Sequence, residues 1–81
     1  MSKEELIEKA NAGRVEFVGR VETSKIWTGM DYLPYYAQYA DKDGIHDCPA
    51  GEEYCIDAYD PIPFDEVEDE VFEKLANDII G

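Results

Sequence analysis

Four turn signals cut the middle of the chain into short extended pieces, and this spacing points to an antiparallel sheet. Gly29 closes the first piece, DKDG at 41–44 the second and PAGE at 49–52 the third; Asp60-Pro61-Ile62-Pro63 ends the series. Connections this short join antiparallel neighbours. Residues 14–22 alternate, with Val15, Phe17 and Val21 on one face and Glu16, Val18, Arg20 and Glu22 on the other. TSKIWTGMD reads as a loop, or as a strand end with its turn at Gly29. Residues 32–40, YLPYYAQYA, are extended. Leu33, Tyr35, Ala37 and Tyr39 fall on one face, and Tyr32, Tyr36 and Gln38 on the other. Pro34 has no N–H for a ladder, which predicts an edge strand or one with an irregular start. IHDC and EYCIDAY supply two further short strands.

A helix flanks each end of this region. Ser2 and Glu5 make a capping box, with Met1 packing on Leu6 as a staple. Leu6, Ile7 and Ala10 form a narrow apolar stripe, and a left-handed glycine is expected to stop the helix near Asn11 to Gly13. After the two prolines, Phe64, Val67, Val71, Phe72, Leu75 and Ile79 recur mostly three and four apart. The pattern predicts a helix from about Phe64, with Asp65 and Glu68 at its cap. The expected fold is a single α+β domain over residues 1–81. It has a three- or four-stranded antiparallel sheet, a short N-terminal helix and a longer amphipathic acidic C-terminal helix. A chain of 81 residues buries only about 60–65% of its unfolded surface, too little to build a deep catalytic pocket.

Charge is the second constraint. The net charge is −13, and residues 1–25 contribute none of it, because five acids there balance five bases. Residues 26–81 hold fifteen acids against Lys42 and Lys74. Such an excess destabilises the compact state by self-repulsion, so it calls for a functional reason. Salt adaptation fits poorly, since Lys outnumbers Arg and Ile is common.

Catalytic signals are sparse. His46 is the one histidine and reads as a lone surface residue; no nucleophile elbow, Gly-rich phosphate loop or HExxH occurs. The expectation is no enzyme and no cofactor. His46, Cys48 and Cys55 offer three zinc ligands, short of the four of a structural site, and a small metal-binding domain is the third reading. DKDGIHD has some calcium-loop positions, but its glycine falls fourth instead of sixth, so the turn reading wins. Cys48 and Cys55 are expected to be reduced thiols, although they could meet across a hairpin. The start, MSKEELIEKA, is charged and lacks the apolar middle of a signal peptide. No apolar run approaches the length of a membrane span. A cytoplasmic protein without membrane contact is expected.

The polar face of the closing helix carries Asp65, Glu66, Glu68, Asp69, Glu70, Glu73 and Asp78; the sheet region adds Asp41, Asp43, Asp47, Glu52, Glu53 and Asp57. Carboxylates three or four apart on a helix stand about 5–6 Å from one another. That resembles the charge spacing of a nucleic-acid strand, so such acids on one flank would fit a basic groove built for phosphates. Trp27, Tyr32, Tyr36 and Tyr59 are candidate aromatic anchors. In size, charge and layout, from a short helix through a Tyr-rich sheet to FDEVEDEVFEKLANDI, the chain resembles the small acidic inhibitors of bacteriophages and plasmids. These include DNA-mimicking anti-restriction and anti-CRISPR proteins. The resemblance implies a stoichiometric inhibitor in the host cytoplasm, bound to a basic nucleic-acid-binding defence protein. Direct nucleic-acid binding is not expected, for want of a basic stripe. The alternative is a protein–protein interaction module that binds by strand addition at the Tyr-rich segment 32–40.

Overall fold

The computed structural model describes residues 2–80, so the packing expected of Met1 lies outside the described residues. Helix α1 spans Lys3–Ala12. The Oγ of Ser2 accepts the Glu5 N–H at 3.2 Å, as a capping residue should. Leu6 and Ala10 are buried, with Ile7 packed beside them. Gly13 ends the helix, but its φ of 173° is extended, not left-handed as expected.

Strands β1 (Val15–Glu16), β2 (Glu22–Thr28), β3 (Asp31–Asp41) and β4 (Gly44–Pro49) form one antiparallel sheet. β4 shares partners on β3 with both β1 and β2: Tyr39 and Ala40 pair with β1 and β4, Tyr35 and Tyr36 with β2 and β4. β4 therefore occupies one edge of β3, and β1 and β2 lie end to end along the other. The Tyr-rich segment is thus the central strand, not the expected edge strand. Its proline is tolerated for a local reason. Gly29 (φ 65°) and Met30 make a two-residue turn, so Thr28 and Asp31 exchange both hydrogen bonds. Alternation then makes Lys25 and Pro34 a non-bonded pair. The Pro34 nitrogen faces away from β2, on a side where β4 has already ended at Tyr35↔Pro49.

Two irregularities reset the faces. The β3–β4 register shifts between Ala37 and Tyr39. Ala37 and Ala40 both join the core, while Tyr39 turns to the opposite face, contrary to the strict alternation expected. The expected strand 14–22 is also broken. Val15, Phe17 and Val21 are buried as expected, but the ladder of β1 stops at Glu16 and the chain bends at Gly19 (φ 92°) before β2 begins.

The C-terminal third departs most from expectation. EYCIDAY is not a strand: Glu53–Ala58 is a 3₁₀ helix packed on β4, with Cys55 N–H bonded to the Glu52 carbonyl at 2.9 Å. Ile62 then makes an isolated bridge with Ile45, their N–H and carbonyl groups exchanging bonds of 2.8 and 2.9 Å. The long acidic helix is divided. Phe64–Glu66 is a 3₁₀ turn, Val67 is extended, and helix α2 covers only Asp69–Ala76. Glu68 is its N-cap residue without a side-chain hydrogen bond, so Asp65 and Glu68 do not cap it. The apolar stripe still points inward. Val67, Phe72 and Leu75 are buried, with Phe64, Val71 and Ile79 packed beside them.

Leu6, Ile45 and Leu75 are fully enclosed, each stabilising the fold by about 1.5–3 kcal/mol relative to exposure. Among the described residues no helix is long and apolar enough to cross a membrane.

Asp78 was expected on the polar face of the helix. It lies beyond α2, is 4% exposed, and holds the C-terminus against the bend at Gly19. Its Oδ2 accepts the Gly19 and Arg20 N–H groups at 3.0 and 3.2 Å, and its Oδ1 accepts Arg20 Nε at 3.4 Å. Ile79 bridges to Phe17 alongside. Asp78→Ala would leave backbone donors without a partner in a part-buried site, and we expect a loss of about 2–4 kcal/mol in urea denaturation. A loss below about 0.5 kcal/mol, the usual range of surface substitutions, would show that this contact is not structural.

Candidate interaction surface

The acids of residues 65–73 form an exposed strip. Asp65 and Glu66 stand on the 3₁₀ turn, Glu68 on the extended link, and Asp69, Glu70 and Glu73 on α2; all six are exposed. Two cations oppose them: Lys3 lies 3.5 Å from Asp69, and Lys74 lies 3.6 Å from Glu70. Among the described residues, Asp65, Glu66, Glu68 and Glu73 make no ion pair. The strip borders an open cleft of about 420 Å³ between Val67, Val71 and Ile62 on one side and Thr23 and Ser24 on the other. A second cleft continues past the edge of β2, between Glu22 and Lys25 and the side chains of Glu70 and Lys74.

Of the sheet acids, Asp41 and Asp57 lie away from this strip. Tyr39 and His46 are register partners on the face of the sheet opposite the core, with rings stacked 4.2 Å apart. Arg14 covers the Tyr39 ring at 3.7 Å, and His46 Nε2 lies 2.8 Å from Asp41 Oδ1. His46 is therefore a half-buried member of a stacked network, not the lone surface residue expected. Burial opposes ionisation of Asp41, but hydrogen bonds from His46 and the Asp43 backbone N–H, with the nearby His46 and Lys42 charges, outweigh it and hold its carboxyl below the usual range. Burial raises the Tyr39 hydroxyl, and the charges of Asp57, Asp41 and Glu16 add to that against Arg14. Asp41 and Asp57 thus belong to this second surface. Asp43 is exposed at the β3–β4 turn. Glu52, half-buried, and Glu53, exposed, adjoin Cys48, whose thiol is raised by burial first and then by those two charges and Asp47. Asp41 and Asp57 are therefore not part of one flank with the strip, because the bulge in β3 turns Tyr39, and Asp41 with it, to the face opposite the core.

Asp47 leaves the candidate set for a different reason. It is 3% exposed. Its neighbour across the strands is the small Ala37, and over that gap its carboxylate accepts the hydroxyls of Thr23 and of Ser24, the latter at 3.2 Å. It ties β4 to β2 and presents no charge to a partner.

The aromatic candidates divide as well. Trp27 and Tyr32 are opposed across β2 and β3, edge to face at 5.0 Å, and are 57% and 63% exposed. Tyr36 is half-buried in the sheet, and Tyr59 is half-buried against Tyr35 at 5.4 Å. The β2–β3 hairpin carries further exposed apolar residues that sequence reasoning passed over: Ile26, Leu33 and Met30, the last 91% exposed. The flanks of Gly29, KIWT and DYLP, held the only signal for them. Tyr54, on the 3₁₀ helix, is another.

His46, Cys48 and Cys55 do not assemble as a metal centre. Among the described residues no group of three or more His, Cys, Asp or Glu side chains is placed to hold an ion. Both cysteines are free thiols, Cys48 buried under the 3₁₀ helix and Cys55 within it. Neither cleft beside β2 is lined by His46. Comparison with protein-family models, curated proteins and solved structures finds no match to the chain.

Proposed function

We propose that the chain is a stoichiometric inhibitor that binds the basic nucleic-acid-binding surface of another protein, and that it carries no catalytic activity. The observation behind this reading is the strip at 65–73, where four of six exposed carboxylates have no cationic partner among the described residues. Solvated helix faces ordinarily mix signs, because opposite charges four apart stabilise a helix by about 0.2–0.5 kcal/mol per pair. This strip forgoes most of that gain. Its carboxylates are fixed on elements anchored by Val67, Phe72 and Leu75, so little ordering is needed on binding. Given the likeness to phage and plasmid inhibitors, a bacterial restriction or CRISPR nuclease is the partner class we favour. The charge track we assign is this strip; buried Asp47, and Asp41 and Asp57 beside Tyr39, stand apart from it.

Attraction of this kind is long range and salt-sensitive. Immobilised on a resin, the chain should retain basic nucleic-acid-binding proteins from a bacterial lysate at low ionic strength. Between about 0.1 and 0.5 M NaCl, where the screening length falls well below 10 Å, they should elute. Excess duplex DNA or RNA should release the same proteins. Retention that resists both salt and nucleic acid would contradict the proposal.

A further inference from the structure

The outer edge of β2 is open. β2 pairs only with β3, and among the described residues no segment pairs with its other edge. The strand is seven residues long, contains no proline, and is almost wholly exposed. An unpaired edge of this kind is a template for another strand. Its hydrogen-bonding positions are fixed by the hairpin. Thr28 and Ile26 spend their backbone groups on β3, so those of Lys25 and Trp27 point outward.

The two faces beside that edge differ in chemistry. Ser24 reaches Asp47 on the core side, so Ser24, Ile26 and Thr28 share that face and Trp27 the other, while the Lys25 side chain reaches round the edge to Glu22 and the second cleft. On the core side the edge is bordered by the acidic strip. Glu66 and Glu68 line one cleft with Ser24, and Glu68 and Glu70 line the next. Glu22 stands there too, paired with Lys25 at 3.5 Å. On the far side stands the Trp27 ring, paired with Tyr32.

We infer that an extended segment of the basic partner adds to the edge of β2 as a fifth strand. Its residues alternate between basic side chains facing Glu66, Glu68 and Glu70 and apolar side chains packing on Trp27. The inference rests on the reading that the partner is a basic protein, and adds how it docks. Pairing of β2 with a second copy of the chain is disfavoured, because each copy carries a net charge of −13 and would set its acids against the other's.

The probe is the peptide acetyl-Lys-Val-Lys-Val-Lys-Val-Lys-amide, titrated into the ¹⁵N-labelled full chain and followed by amide hydrogen exchange. In the chain alone the Lys25 and Trp27 amides should exchange freely, while those of Ile26 and Thr28 are slowed by β3. At saturation the Lys25 and Trp27 amides should slow by at least about tenfold, as backbone pairing requires. A peptide of the same composition with its four lysines in succession should protect them far less. Three results would overturn the inference: no binding of the alternating peptide, binding with Lys25 and Trp27 still exchanging freely, or protection that rises with chain concentration in the absence of peptide. The second result, with basic proteins still retained and released by salt, would remove strand addition and leave the acidic-surface reading standing.

Discussion

Replacing Gly44 by alanine should remove a large part of the domain's stability and sharply lower its urea midpoint. Gly44 opens β4 at a φ of 128°, a region side chains rarely enter. A Cβ at this position would stand 2.1 Å from the carbonyl oxygen of Ile62. That oxygen accepts the Ile45 N–H at 2.9 Å, so the obstruction is backbone already committed to a bridge. Relief requires moving Ile62, and the Ile45–Ile62 pair is what brings the chain from the 3₁₀ helix back over β4 toward Phe64 and α2. Backbone strain contributes about 1–2 kcal/mol, and each lost hydrogen bond about 1 kcal/mol more. The expected total is about 3–5 kcal/mol, against a stability of about 4–12 kcal/mol for a domain of this length. Gly51→Ala is the control. Gly51 also has a positive φ, of 87°, but nothing lies within 4 Å of its Cβ position, so only the strain of about 1–2 kcal/mol applies. Far-UV circular dichroism in urea measures both. Tryptophan emission is a poor reporter here, since Trp27 is already exposed on the hairpin. Equal midpoints for the two variants would show that the close approach of Ile62 does not govern the fold.

The same close approach marks where sequence reading stops. The turn at DKDG, the inward set Val15, Phe17 and Val21, and the stripe from Phe64 to Ile79 are all visible locally, because each depends on residues a few positions apart. The strand β2 is only half so. A hairpin exposed on both faces has no polar–apolar alternation to betray it, and TSKIWTGMD reads equally as a loop or as a strand end turning at Gly29, the second of which the hairpin matches. EYCIDAY errs the other way: it alternates, yet its 3₁₀ backbone lies beyond the sheet, where alternation buries nothing. The divided C-terminal helix keeps an unbroken apolar period, since a helical turn and an extended link can both point every third or fourth side chain inward.

The acids were hardest to place. Twenty carboxylates look alike in a sequence, and burial of two of them depends on distant donors. Asp47 finds Thr23 and Ser24, and Asp78 finds Gly19 and Arg20. The strip at 65–73 was legible because its charges are consecutive. Its separation from Asp41 and Asp57 was not, because the bulge after Ala37 decides which face those acids occupy.

The central claim is that this strip, and not net charge alone, occupies the partner's nucleic-acid site. The most direct measurement is displacement of labelled duplex DNA or RNA from the retained protein by increasing amounts of the chain. The wild-type chain is compared with the combined variant Glu66→Lys, Glu68→Lys, Asp69→Lys and Glu70→Lys. A second variant, Glu4→Lys, Glu8→Lys, Asp31→Lys and Asp60→Lys, makes the same change in net charge outside the strip. Lysines at the start of α2 cost about 0.3–1 kcal/mol apiece through the helix dipole. Circular dichroism therefore confirms folding, and a neutral Gln/Asn version of the strip variant accompanies the set. We predict displacement near one equivalent by the wild-type chain, a loss of at least about 100-fold (about 2.7 kcal/mol) for the folded strip variant, and a much smaller loss for the second. Equal displacement by the wild-type chain and the strip variant, or equal losses for the two reversed variants, would contradict the account.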